Sequence, residues 1–288
     1  MNDAVESLRT KGYCIVPNVL TEDEVETCVE SFHKWRNSID DIDYVESNIN
    51  GNGIHKFYNA GHTWHAWYIR TRPSVQNIFK TLWNCDELIT SFDGCCYIPK
   101  TCENEDMCWT HSDQAPCYDG FQCFQSYVSL TENKERTFVV YEGSHLLHKS
   151  YFEELNMEHD TRNWQIINPD YLAKIYDSRR VLHVPRGSMV IWDSRVFHQN
   201  QFGAPNSEER MIQYICFFPK NHDENVMIQQ EFRKHCLEQL RTTTHWPAPI
   251  QVVALQPNQY RHIDYNIDYS TFENACLDEF IEDIEKII

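Results

Sequence analysis

The sequence predicts a mainly β fold with flanking helices, built on a double-sheet jelly roll. The middle of the chain contains many short segments that are rich in β-branched and aromatic residues. Gly and Pro turns separate these segments, and helical periodicity is concentrated toward the two ends of the chain. Many short strands with helices outside them are typical of two packed sheets decorated by helices.

The first predicted elements are a strand and a capped helix. Residues 12–17, Gly-Tyr-Cys-Ile-Val-Pro, indicate a short strand that ends at proline. Thr21 and Glu24 have the spacing of a capping box, and the apolar side chains that follow lie on one helical face. We therefore expect a helix from about residue 22 to 36. Ser74 is expected to cap a second helix with an apolar stripe.

The remaining elements complete the predicted domain. Extended segments are expected at 89–99, 109–113, 121–130, 137–141, 180–184, 188–193 and 209–219. A polar, partly helical excursion covers 149–176, and helices are expected at 222–241 and 271–288. We expect one domain over 1–288, with its core at about 8–220 and a C-terminal helical extension at about 221–288.

An aromatic and basic stretch, residues 64–72, has two interpretations. Its tryptophans and arginines are suited to lining a substrate pocket. The alternative is ordinary packing of large side chains against a sheet.

Composition narrows the functional classes. The 288-residue chain has 43 acidic and 25 basic residues, a formal net charge of −18, which argues against non-specific nucleic-acid binding and against docking onto anionic membranes. The N-terminus lacks a signal-peptide pattern, and the sequence has no long apolar run. Twelve cysteines without a Cys-x-x-Cys pair indicate reduced thiols. A cytoplasmic location is expected.

One short motif suggests a metal site. His111 and Asp113 are two residues apart on a predicted strand, so both side chains point to the same face and offer a nitrogen and an oxygen ligand. Another His-x-Asp pair, at His262, lies in a stretch without strand periodicity, so the pattern alone is weak. His198 follows a later apolar strand and completes a 2-His-1-carboxylate set, which leaves positions open on Fe(II). Arg210 opens the last strand and is suited to bidentate binding of a carboxylate.

The order of these motifs resembles that of the phytanoyl-CoA dioxygenase family. The motifs that carry the resemblance are His111-Ser112-Asp113, Glu142-Gly143-Ser144-His145, Pro185-Arg186-Gly187-Ser188, Val196-Phe197-His198 and Arg210. The similarity covers roughly residues 8–220. It implies a double-stranded β-helix of the cupin-like type, with an Fe(II)- and 2-oxoglutarate-dependent oxygenase activity.

The resemblance also implies roles for individual residues. Iron would be bound by His111, Asp113 and His198. The residues implied at the 2-oxoglutarate site are Arg210 on the distal carboxylate, Asn200 in place of a serine of the family, Tyr127, and Gln125 on the same strand face as Tyr127. The metal ligands and cosubstrate are sufficient for the reaction, so no further catalytic acid or base is predicted.

The expected reaction is hydroxylation of an unactivated carbon, with O2 consumed and 2-oxoglutarate converted to succinate and carbon dioxide. Related halogenases have a small residue at the position of Asp113, so this carboxylate favours hydroxylation or another oxidation. The expected substrate is a small molecule or an amino-acid derivative, with a protein side chain as an open alternative. We expect no nucleic-acid or membrane partner, and the sequence does not predict an oligomeric state.

Two other classes stay open from the sequence. One is a cupin-like metalloprotein that does not use 2-oxoglutarate. Arg210 is the feature that distinguishes a 2-oxoglutarate-dependent enzyme from this class. The other is a non-catalytic binding protein that retains the fold. His145 and His148 follow a glycine turn and are expected at the surface or behind the ligands rather than as ligands.

Overall fold

The computed structural model describes residues 1–253, 255–259 and 263–288, which form two compact units. The first unit comprises Met1–Asn18 and Ile98–Arg210, and the second comprises Val19–Tyr97 and Met211–Ile288. The second His-x-Asp pair of the sequence begins at His262, which lies outside the described residues.

The helices and strands have the following bounds. The helices are α1 (Asn2–Lys11), α2 (Glu22–Asn37), α3 (Ile42–Tyr44), α4 (Trp64–Thr71), α5 (Pro73–Trp83), α6 (His148–Glu154), α7 (Pro169–Lys174), α8 (Met227–Glu238) and α9 (Ile281–Lys286). The strands are β1 (Tyr13–Val16), β2 (Ile54–His55), β3 (Leu88–Thr90), β4 (Cys95–Ile98), β5 (His111–Ser112), β6 (Phe124–Ser129), β7 (Phe138–Tyr141), β8 (Gln165–Ile166), β9 (Arg179–Val181), β10 (Met189–Asp193), β11 (His198–Asn200), β12 (Arg210–Ile215) and β13 (Phe217–Pro219). This content confirms the predicted class of antiparallel sheets with flanking helices.

The first unit contains two sets of antiparallel strands. β1 pairs with β10, and β10 pairs with β6. The other set is a five-stranded sheet in the order β8-β5-β11-β7-β9. In that sheet, His198 of β11 lies directly opposite His111 of β5. Strand pairing therefore brings together two histidines that are far apart in the sequence.

Aromatic side chains fill the space between these two sets of strands. The ring of Phe138 on β7 lies 4.7 Å from that of Trp192 on β10 and 5.7 Å from that of Tyr127 on β6. All three residues are buried. Offset and edge contacts of this kind stabilise a core beyond simple burial. They make an apolar interior wall, and the His198 ring lies against Phe138 and Trp192.

The second unit confirms the predicted capping box. The Thr21 hydroxyl accepts a hydrogen bond from the Glu24 amide at 3.3 Å, and the Glu24 carboxylate accepts one from the Thr21 amide at 2.8 Å. Reciprocal bonds of this type satisfy amides that have no partner within the helix. They place the start of α2 within one residue of the sequence prediction.

Residues 64–72, for which the sequence allowed either pocket lining or packing against a sheet, are mainly helical. They form α4, capped by the Thr63 hydroxyl, which accepts from the Ala66 amide at 3.3 Å. The buried Arg70 donates to the backbone carbonyls of Gly61 and Asp93 at 2.6 and 2.9 Å. This arginine therefore serves the packing of the unit and is not open to a substrate.

Several predicted element bounds were wrong. Helix α5 begins at Pro73 with Arg72 at its N-cap, so Ser74 is not the cap; proline suits the first helical position because its missing amide costs nothing there. The expected helix over 271–288 shortens to α9, preceded by a 3-10 turn at Asp278–Phe280. The predicted strand 109–113 shortens to β5, since the Asp113 amide already bonds to the Ser194 carbonyl at 3.0 Å. Within the described residues, no helix is both long and apolar enough to span a membrane.

Candidate metal centre

Three side chains of the first unit converge on one position. Nε2 of His111 lies 3.6 Å from Oδ2 of Asp113, and Nε2 of His198 lies 3.3 Å from the same oxygen. One potential ligand atom from each residue lies within 4.8 Å of those of the other two. Among the residues that the structure describes, His111, Asp113 and His198 are the three His, Cys, Asp or Glu residues whose side chains are close enough together to bind one metal ion.

The hydrogen bonds of the two imidazoles orient their Nε2 atoms for a metal. Nδ1 of His111 lies 3.1 Å from the carbonyl oxygen of Trp109, and Nδ1 of His198 lies 2.9 Å from that of Val196. A carbonyl can only accept, so each Nδ1 carries the proton and each Nε2 presents a lone pair. This arrangement is typical of metal-bound histidines, whose second nitrogen is held by a carbonyl or carboxylate.

The carboxylate of Asp113 is positioned from two sides. Its backbone amide bonds to the carbonyl of Ser194, and its Oδ2 accepts a hydrogen bond from Nε2 of Gln125 at 3.0 Å. Gln125, on β6, therefore orients the side chain of Asp113, one of the three potential metal ligands. The sequence grouped Gln125 with the cosubstrate contacts, and its observed partner in the structure is Asp113.

The electrostatics of the centre favour the protonation states that a metal needs. Burial alone would raise the pKa of Asp113, but the neighbouring His111 and His198 outweigh burial and hold that pKa well below its usual value. Burial lowers the pKa of His198, assisted by repulsion from His111. A carboxylate oxygen and the Nε2 atoms of two imidazoles form the donor set that suits Fe(II) with open positions. The residues present therefore fit this metal.

Arg210 lies on the same interior wall as the metal centre. It is fully buried at the start of β12, and its guanidinium carbon lies 5.5 Å from the centre of the Tyr127 ring. The Tyr127 ring lies 6.0 Å from that of Trp192, which in turn lies 5.4 Å from that of His198. A continuous run of side chains therefore links the guanidinium to a potential metal ligand.

Asn200 shares a strand face with His198. The two residues are two apart on β11, so both side chains project to the same side, and both are buried. The backbone carbonyl of Asn200 accepts a hydrogen bond from the Trp109 indole at 3.0 Å. Asn200 therefore lies on the strand face that carries His198, and its expected hydrogen bond to 2-oxoglutarate stays a prediction.

His145 and His148 are separate from the converging group. Nε2 of His145 lies 3.1 Å from the Arg9 carbonyl, and Nε2 of His148 lies 3.1 Å from the Gln114 carbonyl. Both rings are buried and serve the packing around the turn that precedes α6. Of the two positions expected for them, the surface is wrong because both rings are buried, and the group with a metal-binding arrangement consists of His111, Asp113 and His198.

The sequence analysis missed an aromatic frame around His111. The Trp109 ring is stacked on the His111 ring at 4.9 Å and 20°, and the Trp164 ring lies 5.5 Å from the same imidazole. Trp164 is 47% exposed, unusually high for a large aromatic side chain beside a buried ligand. The signal in the sequence was a tryptophan at position 164, within the predicted excursion over 149–176.

Comparisons with known proteins agree with this arrangement. The family model described as phytanoyl-CoA dioxygenase (PhyH) matches residues 8–201. A curated relative from Aspergillus versicolor, "Ava biosynthesis cluster protein O", is 25% identical over 265 residues, covering 84% of this chain and 85% of the relative.

Two solved structures share the fold. SnoK, a non-heme alpha-ketoglutarate-dependent carbocyclase from nogalamycin biosynthesis, has a TM-score of 0.52 at 17% identity and covers 81% of this chain and 90% of its own. EctD from S. alaskensis, solved with 2-oxoglutarate and 5-hydroxyectoine, has a TM-score of 0.52 at 13% identity and covers 76% of each chain. These likenesses confirm the cupin-like, double-stranded β-helix class.

Proposed function

The chain belongs to the phytanoyl-CoA dioxygenase family, and from that premise we propose that it is an Fe(II)- and 2-oxoglutarate-dependent dioxygenase that hydroxylates a small molecule. One observation carries the proposal: two histidines with proton-bearing Nδ1 atoms and one ionised carboxylate converge on a single position. SnoK is an alpha-ketoglutarate-dependent carbocyclase and EctD was solved with 2-oxoglutarate, so both proteins of similar fold support the same cosubstrate here.

In this proposal the residues of the first unit bind and orient the reactants. Nε2 of His111, Nε2 of His198 and the Asp113 carboxylate would hold the metal on one face. Gln125 keeps the carboxylate oriented through its amide hydrogen bond. When bound, Fe(II) supplies the oxidative decarboxylation of 2-oxoglutarate by O2, coupled to oxidation of a substrate C–H bond.

The cosubstrate would lie between the metal position and Arg210. The Arg210 guanidinium is suited to bind the distal carboxylate by donating two parallel hydrogen bonds, and Asn200 can donate a further one from its side-chain amide. Tyr127, Phe138 and Trp192 form the apolar wall between these groups. Such a wall excludes water and strengthens the charge interactions that hold the cosubstrate.

The relatives support a small-molecule substrate. The relative from Aspergillus versicolor is named for a biosynthesis cluster, and SnoK is a carbocyclase from nogalamycin biosynthesis. Asp113 provides a carboxylate ligand where a halogenase has a small residue, which favours transfer of oxygen rather than of a halide. We therefore propose hydroxylation as the outcome and a biosynthetic small molecule or amino-acid derivative as the substrate class.

The central test uses the purified protein under anaerobic conditions. Addition of Fe(II) and 2-oxoglutarate together should give a visible charge-transfer absorption band that neither gives alone. After admission of O2, succinate should form above an enzyme-free control, and a library of small molecules scored by succinate release should identify the substrate. A protein that binds Fe(II) but shows no band with 2-oxoglutarate would support the cupin-like alternative that does not use this cosubstrate.

Trp164 provides a separate prediction about the substrate. Its half-exposed ring beside His111 offers an apolar surface next to the metal position. Trp164→Ala should raise the KM for substrate about fivefold, since an aromatic contact of this size contributes about 1 kcal/mol. The KM for 2-oxoglutarate and the charge-transfer band should be unchanged.

The matched control for this variant is Tyr176→Ala, which removes another aromatic side chain that is 63% exposed. It should leave the substrate KM unaltered. Equal effects of the two substitutions, or a loss of the band in Trp164→Ala, would contradict the assignment of Trp164 to the substrate.

A further inference from the structure

The side chain of Gln199 holds the loop that leads into the metal centre. That loop, residues 99–110, connects β4 to β5 and ends at His111. β5 is two residues long, and its pairing with β11 places His111 opposite His198. Strands of globular proteins are usually longer than this, so contacts outside the strand have to fix the position of His111.

Three hydrogen bonds connect the Gln199 side-chain amide to the end of this loop. Its Oε1 accepts from the Thr110 hydroxyl at 2.7 Å and from the backbone amide of Trp109 at 3.1 Å. Its Nε2 donates to the carbonyl of Met107 at 3.2 Å. Gln199 is buried, and a buried polar group that loses its partner costs free energy. One side chain of β11 therefore fixes the stretch from residue 107 to residue 110.

Trp109 passes this constraint on to His111. The Trp109 carbonyl oxygen lies 3.1 Å from Nδ1 of His111, and the Trp109 ring is stacked on the imidazole at 4.9 Å and 20°. The indole N–H donates to the carbonyl of Asn200 at 3.0 Å. β11 therefore holds Trp109 at its side chain as well as at its backbone. Two consecutive residues of β11 thus fix both groups that orient the imidazole.

The Gln199 side chain does not face the metal position. Side chains alternate along a strand, so Gln199 projects from the face of β11 opposite to that of His198 and Asn200. Its effect on a metal would act through Trp109 and His111. Outer partners of metal ligands orient those ligands, and loss of such a partner typically lowers metal affinity about 10- to 100-fold.

We propose that Gln199 is a positioning residue, which sets the orientation of His111 as a metal ligand by holding Trp109 in place. The proposal rests on the metal centre of the proposed function and is independent of the cosubstrate and of the substrate. β11 would then serve the metal from both of its faces. One face carries the ligand His198, and the other carries the side chain that fixes the ligand opposite to it.

The test measures Mn(II) binding to the full-length protein by calorimetry. Gln199→Met keeps the length of the side chain and removes all three hydrogen bonds, so it should raise the Kd for Mn(II) about tenfold. Gln199→Glu keeps an acceptor for Trp109 and Thr110, so it should return the Kd to within about threefold of the native value. Thr110→Val removes one of the three hydrogen bonds and should raise the Kd about threefold, which provides a milder variant if Gln199→Met does not fold.

The matched control is a fully buried glutamine of the second unit. Nε2 of Gln213 donates to the carbonyls of Asp93, Gly94 and Tyr214 at 2.8–3.1 Å. Gln213→Met therefore removes a comparable set of hydrogen bonds. It should lower the free energy of unfolding without changing the Kd for Mn(II).

Weaker Mn(II) binding in Gln199→Met, with recovery in Gln199→Glu and no change in Gln213→Met, supports the proposal. A native Kd in Gln199→Met, or in Thr110→Val if the first variant is unfolded, overturns the positioning role and leaves the metal centre intact. Equal weakening in Gln199→Met and Gln213→Met also overturns it, because lost stability would then explain the effect. If the native protein does not bind Mn(II) at millimolar concentration, the metal centre itself is wrong and the positioning role falls with it.

Discussion

His198→Ala is expected to abolish both metal-dependent stabilisation and succinate formation. The substitution removes one of three ligands and leaves the Nε2 of His111 and the Asp113 carboxylate, too few to hold Fe(II) or Mn(II) firmly. A metal at about one hundred times its Kd stabilises the native state by about 2.7 kcal/mol, which corresponds to a rise in Tm of about 5 °C for a chain of this size. Thermal unfolding with and without Mn(II) should show this rise in the native protein and lose it in the variant.

Two further variants keep this test interpretable. His183→Ala removes an exposed histidine that pairs with Glu132, and it should retain the metal-dependent rise in Tm. His198→Gln preserves most of the side-chain volume between Phe138 and Trp192, so it separates loss of a ligand from loss of packing. Retention of metal stabilisation and turnover in both His198 variants would show that this residue is not a ligand.

Arg210→Lys is expected to raise the KM for 2-oxoglutarate by about 10- to 100-fold while leaving metal binding intact. Lysine keeps the positive charge but loses the planar pair of donors that matches a carboxylate. Charge-assisted hydrogen bonds contribute about 1.5–3 kcal/mol, which corresponds to this range in an equilibrium constant. Succinate formation at varied 2-oxoglutarate, together with the Mn(II)-dependent change in Tm, measures the two effects separately.

The matched control is another fully buried arginine of the first unit. Arg136 donates to the backbone carbonyls of Pro99, Lys100 and Cys102 at 2.6–3.2 Å, so Arg136→Lys should lower stability without changing the KM for 2-oxoglutarate. If Arg210→Lys left that KM unchanged, the distal carboxylate would have to bind elsewhere. Equal changes of the KM for 2-oxoglutarate in the two variants would indicate that replacing any buried arginine of this unit perturbs the site.

Much of the fold and the converging group followed from local patterns. The capping box at Thr21 and Glu24 is set by a few neighbouring residues, and the structure contains it. The pairing of His111 with Asp113 rests on their two-residue separation, and His198 was recognised through its order relative to these motifs. Such features depend on neighbouring residues or on the order of motifs along the chain, so they can be predicted without knowledge of tertiary contacts.

The parts that could not be predicted depend on tertiary pairing. Trp164 precedes β8, and its position beside His111 results from the pairing of His111 with Ile166, which no local pattern encodes. The Gln125 amide reaches Asp113 only because β6 and the end of β5 face each other in the fold. The expected long helix over 271–288 was wrong. Helical periodicity in a sequence predicts a helix only weakly, because tertiary contacts can override it. In the structure the Trp64 indole donates to Glu279, and the regular helix begins only at Ile281.

The opposite placement of His111 and His198 has a consequence for the lifetime of the protein. These residues are cross-strand partners of β5 and β11, and β5 is only two residues long. A metal bound to both would act as a cross-link between β11 and this very short strand. Opening of that sheet, and with it access by proteases, would then depend on metal occupancy. Iron supply would set not only the turnover of the enzyme but also how long each molecule survives in the cell.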